Sequence, residues 1–419
     1  MADPPRKYDI VVLGATGYTG KLTTHFIAQR LPNDLQWAIA GRSRAKLHEL
    51  AAELRLSHPD RSQPTIEIVD LEYQKQVEGV VQQARVCISV VSYWTVGTTV
   101  VDACVRHRTD YVDTSGDIPL IHSWIKKYHE TAKASGVALI HACGVFAGPE
   151  DLLSWVAACE LRDSFGESTK EIVLAVKELT SDPSGGTFES ILQGEADQLQ
   201  IDQANESKDP WHLSPIKGTS VSPQTNMFHL RKDPDLGLLS DSTVGILTNR
   251  AIVHRTWGLL QGSRSEYGPN FQYNEYQSVN STLGGLSELI KSSVIETLMA
   301  SPLLLRLLRL FMPAPGSGPD IKQSEKIPVK FQAIAKPDNE SSPKVFASFS
   351  YPSGSYHTTA LFLSQAAASL LYTKSLEGGL KGGCLTPATL GPDFLERVRS
   401  SGATITLSSP DNKTQVWRR

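Results

Sequence analysis

Apolar and polar segments alternate along the first part of the chain in a way that predicts strands separated by helices. Tyr8–Leu13 is apolar at every position except Asp9, which is typical of a strand buried on both faces. The same reasoning predicts further strands at Leu35–Ala40, Ile66–Val69, Val86–Val91, Asp110–Val112 and Val137–His141. Helical patterns lie between these runs, so the sequence predicts an α/β region with a doubly wound parallel sheet.

The pattern changes after Gly148. Phe271–Val279, Val329–Ala335 and Lys344–Tyr351 alternate apolar and polar residues with a period of two, which predicts half-buried antiparallel strands with one wet face. Thr358–Tyr372 is apolar enough to predict a buried helix. We therefore expect a second, α+β domain with a mostly antiparallel sheet, and we place the two domains at 1–147 and 148–354. The polar stretch 203–225 reads either as a lid or as an insertion without function.

Composition and charge exclude several classes of protein. The 419 residues include 41 Lys plus Arg and 44 Asp plus Glu, and a net charge of −3 argues against a broad nucleic-acid-binding face. Five scattered cysteines without a C-x-x-C motif indicate free thiols in a reducing compartment. The N-terminus has no apolar signal region, and no stretch of 18 apolar residues is present. We expect a cytoplasmic protein.

A glycine-rich turn follows the first strand and opens the first helix. At this position the chain must turn sharply and let a phosphate approach backbone N–H groups at a helix N-terminus. The spacing is G-x-x-G-x-x-G, a variant of the dinucleotide-binding pattern of Rossmann domains, and it does not match the ATP-type P-loop. The candidate cofactor residues of this turn are Gly14, Thr16, Gly17, Tyr18, Thr19 and Gly20. The alternative is a strand–helix turn without a ligand.

The end of the second strand indicates which dinucleotide binds. A site for NAD usually has an acidic residue here, whereas this chain has Arg42, Ser43 and Arg44. Guanidinium groups suit a 2′-phosphate, so we predict NADPH, with Arg42 as the main contact. The alternative is that each arginine is a solvated residue at the start of a helix. Asp70, at the end of the third strand, contacts the adenine or caps the next helix.

The ends of the later strands supply candidates for the reaction itself. The backbone of Ser89, Val90 and Val91 is expected to line the nicotinamide ribose. Tyr93 is the first candidate proton donor and His141 the second. The alternatives are a rim aromatic without a chemical role for Tyr93 and a satisfied buried histidine for His141. Asp117, after the fifth strand, is a polar group at the same edge or a helix cap.

Several motifs are missing. The chain has no Tyr-x-x-x-Lys pair of short-chain dehydrogenases, no H-E-x-x-H, and no G-x-S-x-G nucleophile elbow. Its 11 histidines show no metal-ligand spacing, so we predict no metal site.

The chain resembles the saccharopine dehydrogenase-like oxidoreductase family, in particular the trans-acting enoyl reductases of polyketide and lipid biosynthesis. The matching motifs run through nearly the whole chain: GATGYTG (14–20), AGRSRAKL (40–47), SVVSYWTVG (89–97), YVDTSGD (111–117), SGGT (184–187), PGSGP (315–319) and GGCLTPATLG (382–391). This resemblance implies an NADPH-dependent reductase acting on an unsaturated small molecule or a carrier-bound thioester.

The resemblance also implies how the chain is assembled. Residues 355–419 would pack back on the first domain. A homodimer or a partner synthase is expected, and some relatives associate with lipid. Leu303–Met312 would then contact a membrane surface or a substrate tail, although an internal helix or a dimer face fits the same pattern.

One departure from the family pattern concerns the presumed substrate pocket. Relatives typically read C-G-F-D-S-I-P-S-D-L after the sixth strand, and their Asp and Ser fall on Phe146 and Ala147 here. The pocket is therefore expected to be more apolar. Two alternatives stay open: an imine reductase of the saccharopine-reductase type, and a non-redox isomerase, cyclisation catalyst or synthase-binding subunit on the same scaffold.

Overall fold

The computed structural model describes residues 6–179, 184–196, 209–219, 224–242, 245–299, 301, 304, 316–409 and 412–415. Its strands are β1 Tyr8–Leu13, β2 Trp37–Gly41, β3 Thr65–Ile68, β4 Ala84–Ser89, β5 Asp110–Asp113, β6 Ala138–Ile140, β7 Thr169–Glu178, β8 Leu230–Asp233, β9 Gly237–Ser240, β10 Gln272–Ser278, β11 Val329–Pro337, β12 Val345–Tyr351, β13 Gly383–Leu385, β14 Thr404–Ser409 and β15 Asn412–Gln415. Its α-helices are α1 Tyr18–Arg30, α2 Arg44–Ser57, α3 Gln74–Val81, α4 Thr98–His107, α5 Ile118–Ser135, α6 Gly148–Phe165, α7 Gly185–Ala196, α8 Ile246–Leu260, α9 Thr282–Met299, α10 Ile321–Ser324, α11 Ser355–Tyr372 and α12 Gly391–Ser400. The predicted strands and helices of the first 140 residues are all present, with ends that differ by a few residues.

The first sheet is parallel throughout. Over the described residues it has seven strands in the order β13-β6-β5-β4-β1-β2-β3, which is the predicted doubly wound architecture. The order reverses between β1 and β4, and ligands bind outside the carboxyl ends of the strands at such a point. The central strand β1 is apolar at every position from Ile10 to Leu13, and none of these side chains reaches solvent. Burial on both faces explains its unbroken apolar run.

The second sheet is mixed, with antiparallel pairs in the majority. Its order over the described residues is β15-β14-β12-β11-β7-β10-β9-β8. The antiparallel prediction is right for β11 and β12 but wrong for one edge of β10, which runs parallel to β7. The alternation of apolar and polar residues indicates which side chains face solvent, but it does not indicate the direction in which the strand runs. Strands β9 and β10 are joined through α8, and the chain between β7 and β10 is long enough for the crossover that a parallel pair needs.

The C-terminal part of the chain contributes to both sheets. Helix α11 packs against α1, β4 and β5, and β13 pairs with β6 at the end of the first sheet. Strand β14 instead pairs with β12 in the second sheet. Residues 355–419 were expected to return to the first domain as a unit, but β14 offers the alternating pattern that the open edge of β12 accepts. The domain boundary after residue 147 stays a prediction.

The two sheets share one continuous hydrophobic core. It joins β1, α6, β11 and α11, which is buried except at Tyr356 and Tyr372, through their apolar side chains. No helix among the described residues is long and apolar enough to cross a bilayer. Residues 203–208 and 220–223 of the polar stretch, and nearly all of Leu303–Met312, lie outside the described residues.

Candidate cofactor and active site

The glycine turn brings backbone groups to the carboxyl edge of the first sheet. Gly14 has φ +79°, and a Cβ there would lie 2.4 Å from the carbonyl oxygen of Val90. A Cβ on Gly20 would lie 2.2 Å from the carbonyl oxygen of Gly14. Both positions therefore require glycine. Gly17 caps α1 without a side chain, and the first turn of α1 carries no acidic residue. The uncapped N–H groups that follow fit a pyrophosphate.

The two arginines after β2 face solvent. Arg42 and Arg44 are exposed, and no ion pair within the described part of the chain ties down either guanidinium. Ser43 is the N-cap of α2, and its Oγ accepts a hydrogen bond from the N–H of Lys46 at 3.4 Å. Ser43 thus has a local structural role, whereas the arginines are available to a phosphate.

Asp70 ends the loop after β3 but does not cap the helix that follows. Its Oδ1 accepts a hydrogen bond from the N–H of Glu72 at 3.1 Å, and Tyr73 is the N-cap of α3. The predicted adenine contact is therefore compatible with this position, since Asp70 is partly exposed.

We call Gly14–Gly20, Arg42, Arg44 and Ser89–Val91 the cofactor cradle. The N–H of Val90 donates to the carbonyl of Leu13 at 3.1 Å, which fixes the end of β4 beside the glycine turn. Val90 and Val91 are partly exposed and Ser89 is buried. The chain then enters a π-helical turn over Tyr93–Gly97, a form that is frequent at functional sites.

Tyr93 points inward from this turn and joins two strand ends. Its hydroxyl donates to the carbonyl of Ser89 at 2.8 Å and accepts from the N–H of Thr114 at 3.1 Å. Burial, aided by the charge of Asp113, raises the pKa of this hydroxyl far above its usual range. These contacts favour a structural role for Tyr93 over the proton-donor role predicted from the sequence.

His141 forms a buried ion pair with Asp113. Its Nδ1 lies 2.8 Å from Asp113 Oδ2, and neither side chain reaches solvent. Burial lowers the pKa of His141, but the neighbouring carboxylate outweighs this effect and raises it to about 9. The ring lies among the aromatic side chains of Tyr111 and Trp124. The proton on Nδ1 is thus held inside the protein, although His141 lies directly after β6.

The Asp113 carboxylate also organises two loops. Its Oδ1 accepts the N–H groups of Ser115 at 3.0 Å and Ala142 at 3.1 Å. The segments that follow β5 and β6 are held together by this one side chain. The pair Asp113–His141 therefore acts as a positioning device for the edge where ligands bind.

The loop after β6 is strained. Three of its non-glycine residues have positive φ: Ala142 at 57°, Phe146 at 66° and Ala147 at 152°. Such conformations cost about 1–3 kcal/mol each and cluster at functional sites. The Phe146 ring packs against Gly245, where a Cβ would lie 2.7 Å from it. Phe146 and Ala147, where the resemblance implied a polar pair, thus give this loop an apolar surface.

Parts of the second region reach the glycine turn. The Tyr18 hydroxyl donates to the carbonyl of Pro319 at 2.9 Å, and its ring stacks edge-on against Tyr356 with centroids 4.9 Å apart. The Tyr356 hydroxyl accepts from the N–H of Ser184 at 2.6 Å and lies 3.1 Å from Thr187 Oγ1. The motifs at 184–187 and 316–319, distant in sequence, therefore meet at the cradle.

Asp117 begins α5 at the same edge, partly exposed, and makes no side-chain cap bond to the helix. Burial raises its pKa to about 6, and the charge of Asp113 adds to the rise although the Trp94 indole opposes it. Asp117 is thus an acid near neutrality beside the π-helical turn.

A second group of acids was not predicted from the sequence. Glu150 stands in the first turn of α6, and its Oε2 accepts the N–H of Ala147 at 3.1 Å. Glu275 on β10 accepts hydrogen bonds from Asn249 Nδ2 at 2.9 Å and from the Tyr273 hydroxyl at 2.7 Å. We call Glu150, Glu275, Asn249 and Tyr273 the carboxyl corner, and all four are at most 2 % exposed. A Glu three residues after a helix N-cap is a recognisable signal, but its burial is not.

Comparison with known proteins agrees with this geometry. Residues 10–140 match the family model described as the saccharopine dehydrogenase NADP binding domain. A Mycobacterium tuberculosis protein named provisionally as a trans-acting enoyl reductase is 27 % identical, over 97 % of this chain and 98 % of its own length. The trans-acting enoyl reductase of Mycobacterium ulcerans is 26 % identical, over 97 % of this chain and 99 % of its own length.

A solved structure shows the same fold. Saccharopine dehydrogenase (L-Glu forming) from Saccharomyces cerevisiae superposes with a TM-score of 0.51 at 13 % identity, covering 96 % of this chain and 99 % of its own. The family match spans the first six strands of the parallel sheet and includes the glycine turn and the arginines after β2. Residues 10–140 therefore match the saccharopine dehydrogenase NADP binding domain, with NADP(H) as cofactor, and the protein is an NADP-dependent oxidoreductase.

Proposed function

We propose that this protein is an NADPH-dependent enoyl reductase that acts in trans on an unsaturated thioester made by a separate synthase. The names of its relatives supply the reaction class, since each match covers nearly the whole of both chains. The observation that carries the proposal is the cofactor cradle, whose glycines admit a dinucleotide and whose arginines suit its 2′-phosphate.

The described residues have distinct tasks in this reaction. Gly14 and Gly20 let the backbone approach the pyrophosphate, and Arg42 with Arg44 binds the 2′-phosphate. The bound cofactor supplies a hydride to the substrate. Asp113 holds the loops after β5 and β6 in place, as its three hydrogen bonds indicate. Phe146 presents an apolar wall that excludes water from an acyl substrate.

The proposed reaction is tested by NADPH consumption and by the mass of the product. Purified protein is given NADPH with a 2,3-unsaturated thioester or with a preformed Schiff base, and the product is weighed by mass spectrometry. An enoyl reductase consumes NADPH and adds two hydrogens to the thioester. Consumption with the Schiff base alone assigns an imine reductase, and a product of unchanged mass assigns an isomerase or cyclisation catalyst. No conversion of either substrate contradicts the proposal.

Cofactor preference is tested by titration with NADPH and NADH. Arg42→Ala removes hydrogen bonds to a charged group, worth about 1.5–3 kcal/mol, so NADPH affinity should fall roughly tenfold to a hundredfold. NADH affinity should not change, because NADH has no 2′-phosphate. Arg55→Ala, an exposed arginine at the end of α2, is the matched control. Equal loss for both nucleotides would contradict the role of Arg42.

The proposal includes three further features. The partner synthase and the homodimer follow from the resemblance, and the lipid contact is assigned to Leu303–Met312. A cytoplasmic location accords with the free cysteines, all five of which are buried. Cross-linking to a carrier domain and sedimentation of the purified protein test the first two.

A further inference from the structure

Reduction of a carbon–carbon double bond consumes a proton as well as a hydride, so the site needs an acid. Neither sequence-predicted candidate is free to supply it. The Tyr93 proton is donated to the carbonyl of Ser89. The Nδ1 proton of His141 is held in the ion pair with Asp113, and the ring has no exposed surface, although Nε2 has no hydrogen-bond partner among the described residues. The carboxyl corner offers a different source.

Glu150 is placed at the start of α6, directly behind the strained loop after β6. Its Oε2 is bonded to the N–H of Ala147, which fixes the side chain against that loop. Its Oε1 is buried and has no hydrogen-bond partner among the described residues. A buried carboxyl oxygen that accepts no hydrogen bond is costly unless it is protonated or a hydrogen-bond donor binds to it.

Glu275 is the second carboxyl of this corner. Burial raises the pKa of Glu275, although the hydrogen bonds that its Oε2 accepts from Tyr273 and Asn249 favour the ionised form and oppose the rise. Asn249 Oδ1 is buried and also lacks a donor within the described chain. Two unpartnered acceptors and a second carboxyl thus belong to one buried group. The missing element is a hydrogen-bond donor, and a proton on Glu150 is one.

The charges around Glu150 agree with this assignment. Burial and the charge of Glu275 raise the pKa of Glu150 well above its usual range, although backbone N–H groups of the loop, those of Ala147 and Phe146, oppose the rise. Among the described residues, the cation that acts on Glu275 and Tyr273 is Arg250 on α8. Asp151, the next residue of α6, points elsewhere and accepts from Thr256 and the N–H of Ala388. Glu150 is therefore the member of the pair that holds the proton at neutral pH.

We propose that Glu150 stores the proton consumed by the reduction and that the buried carboxylate of Glu275 keeps it there. This inference rests on the proposed enoyl reduction.

The proton transfer balances as follows. Bound NADPH would supply a hydride to the β carbon and become NADP⁺, and the electron pair of the double bond would move to the thioester oxygen. The α carbon then takes the proton from Glu150 Oε1, directly or through one bound water, as the electron pair returns. Glu150 is left as a carboxylate, and a proton taken up from bulk solvent restores it.

The first experiment compares kcat and KM of wild type, Glu150→Gln and Glu160→Gln across pH. Glutamine keeps the acceptor for Ala147 but cannot release a proton. We expect kcat of E150Q to fall about 100-fold or more with KM and NADPH affinity little changed. Wild-type kcat should decline as pH rises through the raised pKa of Glu150, and E150Q should lack this decline. Glu160, on the outer part of the same helix, is the matched control.

A second comparison excludes the other acid near the cradle. If Asp117→Asn abolishes the alkaline decline while E150Q keeps it, Asp117 supplies the proton and the proposal is overturned. Wild-type kcat and pH profile in E150Q would overturn it equally.

The second experiment detects the proton on Glu150 by infrared spectroscopy, in the absence of turnover. Infrared difference spectra of wild type minus E150Q at neutral pH should show a protonated carboxyl band that shifts in D₂O. In Glu275→Gln this band should titrate at lower pH, because the repelling carboxylate is gone. Absence of the band overturns the proposal. If wild type reduces no enoyl thioester, the proposed function fails, whereas the band still reports whether Glu150 holds a proton.

Discussion

The cofactor cradle and the carboxyl corner are built in opposite ways, although both lie by the carboxyl edge of the parallel sheet. The cradle uses backbone N–H groups, close-packed glycines and exposed arginines, all within short stretches of sequence. The corner uses side chains from α6, α8 and β10 that are sealed from solvent. Binding an anion needs accessible donors, whereas holding a proton on a carboxyl needs a dry and negatively charged surrounding.

This difference determines what a change in each region does. In the cradle, cofactor binding depends mainly on backbone geometry. Adding atoms there should therefore weaken binding more than changing charge does. Among the buried carboxyl and imidazole groups at the sheet edge, function and stability depend mainly on charge. Substitutions that keep the shape of a side chain but remove its charge should therefore have the largest effect there. The three predictions below separate these two kinds of sensitivity, from the largest expected effect to the smallest.

The largest effect is expected at the buried ion pair. The folded pKa of His141 is about 9, above its ordinary 6.5, so the pair stabilises the fold fully below pH 6.5. That stabilisation, about 3 kcal/mol by the size of the shift, is lost as pH rises towards 9. Asp113→Asn keeps an acceptor for Ser115 and Ala142 but removes the charge. The free energy of unfolding, measured in urea from pH 6 to 10, should fall in wild type and stay flat in D113N. A parallel fall in both would assign the effect to other groups.

A geometric change in the cradle comes next. Gly14→Ala places a Cβ against the Val90 carbonyl at a residue with φ +79°. The strain is about 1–3 kcal/mol, so NADPH affinity should fall roughly tenfold to a hundredfold if the turn distorts to relieve it. Calorimetric titration measures this loss. Gly79→Ala is the control, because a Cβ in α3 meets nothing within 4 Å and should leave affinity unchanged.

The smallest effect is expected at Tyr93. Tyr93→Phe removes the bonds to Ser89 and Thr114 and should destabilise the fold by about 1–2 kcal/mol. If Tyr93 only joins the two strand ends, kcat should fall less than tenfold, far less than in E150Q. Thermal unfolding and steady-state rates of the same samples separate the two properties. A hundredfold loss of kcat would return the proton-donor role to Tyr93.

The glycine turn and the arginines after β2 could be identified as a candidate cofactor site from the sequence because the pattern that marks them is local. The glycines follow an apolar strand directly, and the arginines stand where an acid would select NAD, so a few neighbouring residues suffice. The parallel sheet was readable for the same reason. The direction of β10 was not, because its partner β7 is chosen by a crossover through many intervening residues.

The acids were less readable because their chemistry arises from burial. Tyr93 and His141 were identified as polar residues at strand ends, which is where the structure places them. Their protons are nonetheless occupied by Ser89 and Asp113, and only the tertiary contacts reveal this. Glu150 carries only the signal of a residue three places after a helix N-cap and Glu275 carries none, and the two carboxyls come near each other only in the folded chain.

The position of β13 has a consequence for how this protein folds during its synthesis on the ribosome. Strand β13 pairs with β6, and the carbonyl of Leu385 accepts the N–H of His141. When Ile140 leaves the exit tunnel, β6 is an open edge and α11, which covers β4 and β5, has not been made. The cofactor-binding sheet is therefore completed only after more than half of the chain has been added, and nascent chains that stall earlier expose a strand edge of the kind that chaperones recognise.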